Sequence, residues 1–300
     1  MSSDMQVAPK FLSMLFFVGA SLGLSSRAEV DAEKQTGVEL TLCEDCPVFV
    51  RVPDAPASLR PIRYVSKFEL TWNNYLAAYD DGACEIPNPN AAPQTAGPND
   101  ILPHLDKYRI DWPVEQLGVA DVQCYIDWLE GKTGYDVALP TAREWEWFAR
   151  AGRKGAKFPW GNEPDARREA LGRTEVPERS RTPWPFEEGG REINRHLSGV
   201  KVGLFPPNDW GLHDLMGNVR ELTSDTISGE EFLRRNPDSR LAQYTRNKGH
   251  AVLKGSEWWV DPAWAAEGID AERYAIIFGN RYSTGVGIRL ILTERRAGSD

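Results

Sequence analysis

Two short stretches hold the residue types that do chemistry. The first is Glu257-Trp258-Trp259, a carboxyl beside two large apolar rings. Burial against such rings disfavours the carboxylate and raises its pKa, which suits a general acid or base. The bland alternative pairs Glu257 with an arginine and leaves the tryptophans to fill the loop core. The second is Cys43-x-x-Cys46. That spacing fits a redox pair, half a zinc site or a local disulfide. No βαβ pattern surrounds it, and no second CxxC or paired histidine follows. His104, His196, His213 and His250 are scattered, with no helical i, i+4 pair.

The elements that must position these groups are short. Val48-Phe49-Val50-Arg51-Val52 is β-branched and aromatic and reads as a strand. Thr71 can cap a short helix whose apolar face is Trp72, Tyr75, Leu76 and Tyr79. Val122, Tyr125, Ile126 and Leu129 recur at i, i+3, i+4 and i+7, one buried helical face. Gly131 and Gly134 stand where that helix should end. Thr141-Ala142-Arg143-Glu144 is a capping box ahead of an inward face of Trp145, Phe148 and Ala149, with Gly152 as the stop. Residues 85–103 are a turn-rich loop, and regular periodicity fades from 153 to about 200. Residues 225–250 are charged and partly helical, and YSTGVGIRLILTE near the end reads as one closing strand.

The 300 residues carry a formal charge of −9, which argues against a nucleic-acid phosphate partner, because that binding needs clustered Lys and Arg. Eleven Trp, 21 Pro and 26 Gly point to many loops with aromatic side chains packed beneath them. Lys10 precedes the apolar run 11–24, and Ser26-Arg27-Ala28 offers a small-x-small cleavage site. These are the parts of a secretory signal peptide ending at Ala28. The run is shorter than the roughly 20 residues of a comfortable span; the alternative is an uncleaved anchor. Residues 29–41 are polar and read as a flexible segment, leaving 42–295 as one domain, periplasmic or secreted. In an oxidising compartment the even count of Cys43, Cys46, Cys84 and Cys124 favours disulfides. The preferred pairing is local for Cys43 and Cys46, with Cys84 bonded to Cys124, although four cysteines allow three pairings.

Five motifs occur in order: TGYDVALPTAREWEWFARAG (133–152), FPWGNEP (158–164), FPPNDWGLHDLMGNVREL (205–222), LKGSEWW (253–259) and GVGIRL (285–290). Together they resemble the sulfatase-modifying-factor family, whose founding members are formylglycine-generating enzymes. The resemblance implies an α+β fold, a variant of the C-type-lectin fold with low regular secondary structure, two main helices and small antiparallel sheets. It also implies a structural calcium at the 209–222 corner, with Asp214 and Glu221 as side-chain ligands, Gly217 and Val219 as carbonyl donors and Asn218 bracing the turn. The alternative is a corner held by hydrogen bonds alone. Arg220 departs from the family pattern, where a Trp is usual; it can pair with a nearby carboxylate and compete with the ion. A second calcium site known in the family has only Asn194 as a remnant.

Formylglycine generation uses copper on two thiolates, and soft thiolates suit Cu(I). The matching positions here are Trp259 and Trp264, and 254–281 contains no Cys. The resemblance therefore does not extend to copper. It leaves a groove of Glu257, Trp258, Trp259, Asp261, Trp264, Arg281 and Arg289, with Glu257 as the candidate catalytic group. The chain is similar to an exported branch of the family that lacks the cysteine pair, such as the pyoverdine maturation protein. The expected function is copper-independent tailoring of a peptide or peptide-derived small molecule. The alternatives are a non-catalytic lectin-like binding or scaffold protein of the cell envelope, and formylglycine oxidation by an unusual route.

Overall fold

The computed structural model describes residues 36–87, 111–115, 117–165, 167–168, 200–237, 246, 248–257, 267–276 and 285–295. All belong to the unit Gln35–Asp300; the other unit, Met1–Lys34, lies outside the described residues. The fold is α+β, with four helices and two small sheets among the described residues.

The first sheet joins β1 (Glu39–Thr41), β2 (Val48–Arg51), β3 (Tyr64–Ser66), β9 (Ile291–Arg295) and β4 (Tyr135–Ala138), in the order β1-β2-β3-β9-β4. All its pairs are antiparallel. The second sheet joins β7 (Arg273–Ile276), β6 (His250–Lys254), β5 (Arg220–Ile227) and β8 (Val286–Ile288), in the order β7-β6-β5-β8. Here β5 and β8 run parallel. The closing segment read as one strand is thus two, β8 and β9, serving different sheets. Arg289 and Leu290 are the link between them, both fully buried.

The helices form where capping chemistry allows. In α1 (Trp72–Asp80) the Thr71 hydroxyl accepts from the Asn74 amide, and the Asn74 side chain reaches back. Its buried face is Trp72, Tyr75, Leu76 and Ala78; Tyr79, expected inside, is 36% exposed and points away from the core. The helix α2 (Val119–Thr133) buries Val122, Tyr125, Ile126 and Leu129, as the periodicity demands, and stops at left-handed Gly134. Gly131 lies within this helix rather than ending it. In α3 (Ala142–Arg150) the capping box of Thr141 and Glu144 forms, and Trp145, Phe148 and Ala149 face inward. Glu144 also ties down Arg60, so the cap doubles as a tertiary clamp. The short α4 (Gly229–Arg235) packs Phe232 on His250 with ring centroids 4.2 Å apart.

Two disulfides form, Cys43–Cys46 and Cys84–Cys124. The second joins the turn after α1 to α2, its partners 40 positions apart in sequence. The segment 29–41, expected to be loose, supplies β1 through residues 39–41. The two larger apolar clusters are one of α1, α2 and both sheets around Tyr75, Tyr125 and Leu129, and one around Trp145, Phe148 and Ile291.

Candidate functional site

The chain turns back on itself between Trp210 and Glu221, and that turn sets the site. Asp214 and Asn218 adopt left-handed backbone at φ 59° and 60°, with Gly217 between them at φ 96°. Such angles are uncommon outside Gly, Asn and Asp, which is why these residue types occur here. Asn218 braces the turn as expected. Its Oδ1 accepts from the Val200 amide at 2.7 Å, and its Nδ2 donates to Glu69 at 2.8 Å. Asp214 Oδ2 accepts from the Gly203 amide at 2.6 Å, while Oδ1 is buried with no hydrogen-bond partner. Val219 follows, fully buried, and its amide donates to Glu69 at 3.3 Å.

Glu221, the second residue of β5, is 1% exposed and is engaged from two sides. The indole of Trp145 donates to Oε2 at 2.6 Å. Arg289 donates through Nε to both oxygens, at 3.0 and 2.9 Å, and through Nη2 to Oε1 at 2.7 Å. The same guanidinium reaches the carbonyls of Ser66 and Lys67, at 2.8 and 3.0 Å, and of His213, at 2.7 Å. Three buried carboxyls, Glu69, Asp214 and Glu221, surround this one buried cation. Burial pushes Asp214 up to about 7, Glu221 adding to the rise while the Gly203 bond and Arg289 oppose it. Burial, then the charges of Asp214 and Glu221, push Glu69 well above the usual carboxylate range.

The structure brings Asp214, Gly217, Val219 and Glu221 onto one turn, with Asp214 Oδ1 buried and unpartnered. Glu221 has given its oxygens to Arg289 and Trp145, and among the described residues no group of three or more His, Cys, Asp or Glu is arranged to hold a metal. Glu69 was not anticipated. Its only sequence signal is an acid set between Phe68 and Leu70. His213 packs beside Phe68 and uses Nδ1 on the Phe205 carbonyl at 2.8 Å.

Arg220 does not compete at this corner. Neighbouring residues on a strand point to opposite faces, so Arg220 leaves the sheet on the side away from Glu221. There its Nη2 meets Glu257 Oε2 at 2.7 Å, both side chains largely buried. Glu257 thus has an arginine partner. Glu115, whose carboxylate takes the Gly285 amide at 2.8 Å, lies close enough to act on Arg220, as does Arg273. Burial lowers the Arg220 pKa, with Glu257 opposing. Just before Glu257, Gly255 sits at φ 73°, where a Cβ would come 3.1 Å from the Leu215 carbonyl. The next residue, Ser256, buries its hydroxyl without a hydrogen-bond partner. Trp258, Trp259, Asp261, Trp264, Arg281 and Asn194 lie outside the described residues. Arg289 is a brace inside the fold, at 0% exposure, rather than part of an open groove.

Residues 33–293 match the family described as the sulfatase-modifying factor enzyme 1-like domain. This chain belongs to that family. Among sulfatase-modifying factors of known sequence, it is 32% identical over 167 residues to the inactive C-alpha-formylglycine-generating enzyme 2 of Bos taurus, covering 55% of this chain and 43% of that protein. It is 32% identical over 151 residues to the formylglycine-generating enzyme of Thermomonospora curvata, covering 50% of this chain and 46% of that one. The chain thus spans less than half the length of these relatives. PvdO from Pseudomonas aeruginosa shares the fold at TM-score 0.54 and 18% identity, over 87% of this chain and 100% of that one. Treponema denticola variable protein 1 shares it at TM-score 0.51 and 15% identity, over 86% and 99%.

Proposed function

We propose that this sulfatase-modifying factor is an exported, copper-independent tailoring factor acting on a peptide or a peptide-derived small molecule. One observation carries the reading. The chain has four cysteines, and all are in disulfides, so none supplies the thiolate pair that holds Cu(I). The same disulfides support an oxidising compartment, which agrees with the signal-like residues 1–28. Glu257 is the candidate base, held by Arg220 at 2.7 Å.

The test is a deletion strain complemented with the natural gene, Glu257→Gln or Glu257→Ala, with small-molecule extracts compared by mass spectrometry. The reading expects a peptide-derived product that is lost on deletion and restored only by the natural gene. Full restoration by Glu257→Ala removes that residue from the chemistry. Stoichiometric copper in the purified protein would return the formylglycine oxidase. A second reading, a binding or scaffold protein of the cell envelope, is favoured by relatives named as inactive and by the engagement of Glu257 with Arg220. Unchanged extracts on deletion would select it.

A further inference from the structure

We infer that Glu115 is a positioning residue for the Glu257 site: through Gly285 it fixes the backbone of Arg220, and with it the guanidinium that holds Glu257, a role that rests on the reading of Glu257 as the base. The contacts form one chain. Glu115 Oε2 accepts from the Gly285 amide at 2.8 Å, the two residues 170 positions apart in sequence. The Gly285 carbonyl accepts from the Arg220 amide at 2.9 Å. Arg220 Nη2 then meets Glu257 Oε2 at 2.7 Å. Both backbone groups of Gly285 are thus committed, one to Glu115 and one to Arg220.

The topology explains why a side chain is needed there. Gly285 stands one residue ahead of β8 at φ 73°, where β8 enters its parallel pairing with β5 and Val286 lies opposite Arg220. Parallel neighbours cannot be joined by a tight hairpin, so nothing local sets the entry of β8 against the start of β5. A buried amide left without an acceptor is costly, and the Glu115 carboxylate supplies one. Glu115 is itself held firmly, at 4% exposure. Val114 before it is fully buried and donates to the Leu70 carbonyl at 2.8 Å, and Pro113 bridges to Thr71 at the cap of α1. The Glu115 charge also reaches the Arg220 guanidinium and favours its charged form against burial, as Glu257 does.

The test separates reach from charge. Glu115→Asp keeps the charge but is one methylene short of Gly285; Glu115→Gln keeps the length and an acceptor oxygen but loses the charge. In each background the full chain is taken through the Arg220→Met and Glu257→Gln cycle by urea denaturation. The natural chain should show a coupling of about 30-fold in the unfolding equilibrium constant. The coupling should be at least as large in Glu115→Gln and should fall below about 5-fold in Glu115→Asp. A natural value in Glu115→Asp, an equal loss in both variants, or no coupling in the natural chain would each overturn the positioning role. Should Glu115→Asp not fold, Glu115→Ala takes its place with the same expectation. In the complemented deletion strain, at equal levels of folded protein, product should be about tenfold or more lower with Glu115→Asp than with Glu115→Gln; equal yields would overturn the role in the reaction. A natural gene that restores no product removes the tailoring reading instead, and the coupling still decides whether Glu115 holds Arg220 against Glu257.

Discussion

Replacing Arg220 by Met removes the arginine that faces Glu257 in a nearly closed space. The two side chains are only 16% and 9% exposed and meet at 2.7 Å, so water screens the pair weakly. Removing one partner of a buried pair costs about 3–5 kcal/mol; the remaining exposure places this one near 3. Glu257→Gln should cost less, because Arg220 keeps Glu115 nearby while Arg220→Met deprives both acids. The double variant removes the Glu257 charge as well, so the two losses should not add. The expected coupling is about 2 kcal/mol. Urea denaturation followed by tryptophan fluorescence measures all four corners of the cycle. With a slope of about 3 kcal/mol/M, Arg220→Met moves the midpoint by about 1 M. A coupling below about 0.5 kcal/mol would refute the claim that this pair is one buried unit.

Three further outcomes follow from the same physics. Loss of Cys84–Cys124, whose partners are 40 positions apart, should cost about 4 kcal/mol, against about 2 for Cys43–Cys46, in urea denaturation of the paired Ser variants; equal losses would contradict the chain-entropy account. His250 is enclosed against Phe232, and burial lowers its pKa below the ordinary 6.5. Its contribution is therefore present above the unfolded pKa and is lost as pH falls from about 6.5 toward the folded value, because the unfolded chain takes the proton first. His250→Phe should flatten the melting temperature over that window, and an unchanged slope would count against it. Gly268 sits at φ 78°, and a Cβ there would lie 2.3 Å from the Lys157 carbonyl, which already accepts from the Ile269 amide. Gly268→Ala should cost about 2 kcal/mol or more by denaturation, since backbone cannot rotate aside.

The family and the helices were legible because their signals are local. The capping boxes at Thr71 and Thr141 involve residues three apart, and the α2 face repeats within one helix. Tyr79 was misread because a short helix has room for only one apolar stripe, and Ala78 filled the place instead. The split of the closing strand had no local mark, since alternation continues through Arg289 and Leu290 even as the chain changes sheets. The partners of Arg220 and Glu257 were open for the same reason. Only the pairing of β5 between β6 and β8 shows which face each side chain takes.

By itself the sequence determined the fold class, the helix starts and the lack of a thiolate pair, all of which depend on residue identity and short spacing. The tertiary structure decided where the charges go. Glu69 and Arg289 are 220 residues apart, and what makes them neighbours of Asp214 is the closure of two sheets around one corner. Whether an acid binds a metal, a proton or an arginine depends on which opposite charge shares its low-dielectric surroundings, and that is a property of the packed chain.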